Sequence, residues 1–63
     1  MPEFKYRLKQ MRQSAGLTQS ELAEKLGVST STVSMYEVGS RKPSFEILEQ
    51  LADFFNVDTD YLM

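Results

Sequence analysis

The chain contains no histidine and no cysteine, so it has no imidazole to shuttle protons, no thiolate nucleophile and no His/Cys set to hold zinc. Its serines have no partner base in view, and neither a Gly-rich phosphate loop nor a paired-carboxylate cleft is visible. What it does contain is a succession of short polar side chains, Thr18 and Gln19, then Thr30, Ser31 and Ser34 beside Met35, followed by Ser40, Arg41 and Lys42. Hydroxyls and carboxamides both donate and accept hydrogen bonds, and a guanidinium offers a fork that matches a phosphate. The chemistry on offer is reversible recognition rather than bond making. Neither a cofactor nor a metal nor a small-molecule substrate is called for.

These side chains need elements to hold them, and the apolar spacing supplies five helices. Phe4, Leu8, Met11 and Ala15 recur at i, i+4, i+7, i+11 on one stripe of a first helix, which Gly16 closes as a left-handed residue. Thr18-Gln19-Ser20-Glu21 reads as a capping box opening a second helix, with Leu22, Ala23 and Leu26 inward and Gly27 at its end. Ser29 caps a third helix, and Val28 with Val33 fits a hydrophobic staple. On that helix Val33, Tyr36 and Glu37 fall on one side, and Thr30, Ser31, Ser34 and Met35 on the other. The composition predicts a loop over 38–43. Ser44 then caps a fourth helix with Leu48, Leu51, Ala52 and Phe55 inward, and Asp58 caps a final turn carrying Tyr61 and Leu62.

Sixty-three residues make one small domain, and a domain of this size buries only about 60% of its unfolded surface. Without disulfides or zinc, stability must come from helix packing, with dimerisation as a further source. No apolar run approaches the roughly 20 residues of a membrane span, and the N-terminus does not read as a signal peptide, so a cytoplasmic location is the default. The net charge of −2 argues against a polyanionic partner only if it is taken globally. All seven Lys and Arg lie before Pro43, whereas the segment from Ser44 onward carries five acids and no base. One face can therefore suit an anion while another is acidic, although an ordinary mixed surface gives the same counts.

The whole register resembles the phage-repressor and Cro family of helix-turn-helix domains, the Xre family, from about Phe4 to Leu62. The residues carrying the likeness are Leu17-Thr18-Gln19-Ser20-Glu21-Leu22-Ala23, Gly27-Val28-Ser29, Val33-Ser34, Tyr36-Glu37, Gly39, Arg41-Lys42-Pro43-Ser44 and Phe55-Asn56-Val57-Asp58 with Tyr61-Leu62. The resemblance implies an all-α, compact five-helix lambda-repressor-like domain over residues 1–63, with the helix-turn-helix at helices 2 and 3. It implies sequence-specific binding to double-stranded DNA by a homodimer and a role in transcription, most simply as a repressor. The chain reads equally as a minimal protein or as the N-terminal domain of a longer regulator.

Residue by residue, Thr30, Ser31, Ser34 and Met35 match the family's base-facing surface. Members often carry Gln, Asn, Arg or Lys there; this chain offers single hydroxyl bonds, water bridges and methyl contact instead, so DNA shape has more to contribute. Met35 either meets a thymine methyl or only fills space at the groove edge or packs on a partner. Thr18 and Gln19, at the start of helix 2, and Ser40, Arg41 and Lys42, after helix 3, match phosphate-gripping positions. Arg12 and Glu37 match a partly buried ion pair that orients the recognition helix. Ile47, Phe54, Tyr61 and Met63 lie where the family commonly dimerises, or else cover helix 5 within one subunit. The rival reading is a protein-interaction module of the same fold, favoured by an uncharged reading surface and an acidic C-terminal half.

Overall fold

A computed structural model describes residues 3–63. They form α1 (Phe4–Ser14), α2 (Gln19–Leu26), α3 (Thr30–Val38), α4 (Phe45–Phe55) and α5 (Thr59–Leu62). Three of these start where a hydroxyl satisfies an orphan amide. Thr18 Oγ1 accepts from the Glu21 amide at 3.0 Å while Glu21 Oε1 accepts from the Thr18 amide at 2.8 Å, completing the capping box. Ser29 accepts from Thr32 at 3.1 Å and Ser44 from Ile47 at 3.2 Å, each bond supporting its helix by about 1 kcal/mol. Asp58 departs from the expectation: it stands at the start of α5, but its carboxylate makes no capping bond. Only its carbonyl is used, by the Tyr61 amide at 3.1 Å, and packing holds this single turn.

The first four helices end by a common device. At α2 the Gly27 amide donates to Glu24 O and the Val28 amide to Ala23 O, with Gly27 at φ 72°; a residue carrying Cβ would be strained there. Asn56, at φ 56°, closes α4 in the same way. At α1 this closure corrects the apolar stripe. The helix stops at Ser14, leaving Ala15 exposed, because the chain turns through Gly16 and Leu17 swings back onto the core. Val38, expected in the loop, is instead the last residue of α3, which runs on until Gly39 can turn left-handed.

Each helix contributes one wholly buried side chain to the centre: Leu8, Leu22, Val33, Leu51 and Leu62. Burying such a residue is worth about 1.5–3 kcal/mol. Around them pack Phe4, Ala23, Leu26, Tyr36, Leu48 and Ala52, with Met11, Leu17, Val28, Ile47, Phe55 and Val57 partly covered. Phe4 and Tyr36 meet edge-to-face at 6.2 Å between centroids. The α3 helix lies against both α1 and α2, while α4 carries α5. The radius of gyration of 10.2 Å is close to the roughly 10.6 Å expected of a folded chain of this length.

Candidate nucleic-acid interface

One face of α3 is anchored. Thr32, Val33, Tyr36 and Glu37 are buried. Thr32 was not expected among them; its hydroxyl is satisfied by Ser29 Oγ at 2.8 Å, which lets a polar side chain go under. Opposite, Thr30 and Ser31 are exposed and Ser34 and Met35 half-buried. All four expected base-facing residues thus lie off the anchored face, and none carries a charge. Ser31 Oγ lies 3.1 Å from Ser29 Oγ, a contact that rotation about one bond would release.

What fixes the angle of α3 is a clamp on the Glu37 carboxylate, whose side chain is 3% exposed. Arg12 reaches it from α1 with two of its three arms, Nε to Oε2 at 2.6 Å and Nη2 to Oε1 at 3.1 Å. The remaining arm, Nη1, donates to Leu17 O at 2.7 Å, tying α1's closing turn into the same cluster. The hydrogen bond to Glu37 raises the Arg12 pKa above its ordinary value, with burial opposing and the charge of Glu37 adding to the rise. Gln19 of α2 completes the clamp, its Nε2 donating to Oε1 at 3.1 Å. This third partner was missed, because pairing residues 19 and 37 depends on how α2 crosses α3.

Gln19 therefore turns its carboxamide nitrogen inward. What α2 leaves open is backbone: Thr18 takes the Glu21 and Leu22 amides, so Gln19 and Ser20 hold the first-turn N–H groups that lack an intrahelical acceptor. Such groups at a helix start attract anions. Beside them, Thr18 draws the Glu21 carboxylate below its usual range, first through its amide and then through its hydroxyl. At the other end of α3 the Ser40 hydroxyl folds back toward Met35 O at 3.4 Å. Arg41 and Lys42 are exposed and, among the described residues, neither is ion-paired. They border one depression at the end of α3.

The C-terminal candidates separate. Ile47 is half-buried against the core, whereas Phe54, Tyr61 and Met63 are exposed. Tyr61 is engaged within the chain, its ring under the Arg7 guanidinium at 4.8 Å and its carbonyl accepting from Arg7 Nη1. Phe45 is more exposed than any of these and drew no notice in the sequence. Its place one residue past the Ser44 cap, off the Leu48–Leu51–Phe55 stripe, was the available signal.

Comparison with known proteins agrees with this geometry. The family model described as helix-turn-helix matches residues 8–62. The chain is 47% identical over 57 residues to the HTH-type transcriptional regulator ImmR of Bacillus subtilis (strain 168), covering 90% of this chain and 45% of that protein. A transcriptional regulator from Listeria innocua superposes with a TM-score of 0.91 at 37% identity, covering 95% of this chain and 56% of the other. SinR, a master regulator for biofilm formation solved in complex with DNA, superposes with a TM-score of 0.83 at 37% identity, covering 94% of this chain and 95% of that one. The chain spans about half the length of the curated relatives it matches. A capped α2, a glycine turn and an α3 anchored on one face, matched over nearly the whole chain, place this protein in the helix-turn-helix family of the Xre/Cro type.

Proposed function

We propose that this domain binds duplex DNA sequence-specifically as a homodimer and regulates transcription, acting as a repressor in the cytoplasm. The observation that carries the reading is the division of α3: its buried face is locked by Arg12, Gln19 and Glu37, while Thr30, Ser31, Ser34 and Met35 stand on the other. Only a helix held at a fixed angle can present the same side chains to the same base edges each time. The likeness to SinR, solved with DNA, supports the partner class. No helix among the described residues is long and apolar enough to cross a membrane, in keeping with the proposed location. Repression needs nothing beyond occupancy of a promoter. The function is binding, with no catalytic step.

The test is fluorescence anisotropy on random duplex across a salt series, followed by site selection from a random pool. Affinity should fall steeply with salt, and selection should return two half-sites about one helical turn apart. Absence of duplex binding even at low salt would sink the proposal. It would favour a protein-interaction module, the reading supported by the uncharged surface of α3.

A further inference from the structure

Neither the comparisons nor the sequence assigns a role to Lys5, in the first turn of α1. Its side chain crosses the end of α3: a Cβ built on Gly39 would lie 2.9 Å from Lys5 Cδ and 3.5 Å from its Nζ. The ammonium also sits 5.1 Å from the centroid of the exposed Tyr6 ring. Among the described residues it has no carboxylate partner. Lys5 shares its depression with Arg41 and Lys42, over a floor formed by Phe4 and Tyr36, and no acidic residue lines it. Three cations thus meet around one concavity with only the carbonyl end of α3 to oppose them, and that end carries about half a negative charge.

We propose that Lys5, Arg41 and Lys42 form a single phosphate site at the end of α3, occupied by a backbone phosphate of the bound duplex. The proposal rests on the DNA-binding reading above. The depression measures about 260 Å³, below the roughly 300–1,000 Å³ typical of small-molecule sites. It suits one phosphate group better than a nucleotide or a larger effector. Gly39, needed for its left-handed φ of 81°, also leaves room for the lysine stem, which a Cβ there would crowd at 2.9 Å. Lys5 then ties α1 to the same DNA strand that the loop after α3 grips. The grip on the duplex thereby extends to an element outside the helix-turn-helix.

Anisotropy on a selected duplex between about 50 and about 200 mM salt tests this with three variants. Lys5→Met keeps the stem over Gly39 and removes the charge. With Arg41 and Lys42 still at the same phosphate, it should flatten the slope of log affinity against log salt by up to about 0.9, an affinity loss up to about 3.5-fold smaller across that range than in the parent. Lys5→Arg should keep the parental slope, and so should Lys25→Gln, at the far end of α2. Thermal melting of Lys5→Met should match the parent. An unchanged slope with Lys5→Met, whether or not melting falls, overturns the phosphate site and leaves Lys5 a helix-end cap; duplex binding itself would survive that result. If the parent binds no duplex at any salt, both readings fall. Inorganic phosphate titrated against the free protein separates the other source. Saturating shifts of the Gly39 and Ser40 amides, with no slope change on DNA, would assign the site to a free anion and overturn the duplex assignment.

Discussion

Arg12→Ala is the most informative single perturbation. It removes two of the three donors on Glu37 and leaves the carboxylate with Gln19 alone. With the Glu37 side chain 3% exposed, stranding it should cost about 3–5 kcal/mol. That is a large share of the total of about 3–9 kcal/mol for a chain of this length. Urea titrations by far-UV circular dichroism at pH 7 measure this, with a midpoint shift of about 3 M expected. Arg12→Met combined with Glu37→Leu should recover part of the loss, since the charge leaves with its partner. A loss below about 1 kcal/mol for Arg12→Ala at pH 7, the range of exposed pairs, would refute the claim that this clamp anchors α3.

Met35→Ala, off the anchored face of α3, should change sequence preference by on the order of 1 kcal/mol at one base pair per half-site; repeated site selection with an unaltered motif would remove Met35 from the readers. Arg41→Ala with Lys42→Ala should weaken all duplexes about equally and reduce the salt slope by up to about 0.9 for each phosphate left without its cation, which anisotropy across a salt series reads directly. Thr18→Ala should cost about 1 kcal/mol of stability by urea titration. Because Glu21 is held below its usual range, its share of the capping box is present above the ordinary carboxylate pKa and lost as pH falls through the lowered one. A carbon-detected NMR titration should place the Glu21 carboxyl midpoint below that of a model peptide, and a midpoint at the peptide value would contradict the box.

Local signals in the sequence proved sound where the physics is local. Thr18, Ser29 and Ser44 each cap the helix they precede, because the acceptor and amide are three residues apart and need nothing else. Periodicity failed where a helix had already ended, as at Ala15, since spacing alone does not say that Gly16 will turn the chain. Asp58 had the right residue type, yet its side chain makes no capping bond. The ion pair of Arg12 and Glu37 was available through family resemblance, but Gln19 as its third member and Lys5 over Gly39 were not. Both depend on helix crossings, which no window of sequence contains.

The arrangement in which every helix gives one fully occluded side chain to a common centre bears on how the molecule opens. No pair of helices can bury its own residue without the others: Leu62, on a turn of only four residues, closes over the same cluster as Leu8 from the first helix. Partial opening would wet the whole centre, so subglobal unfolding gains little over complete unfolding. Amide hydrogen exchange should then show one plateau, with the slowest amides of α1, α2, α3 and α4 sharing the free energy of global unfolding. On the proposed DNA-binding reading, a domain built this way would have no loosely held recognition unit to order on contact. Its encounter with a duplex would be that of a preformed body, and little of the binding energy would go into folding.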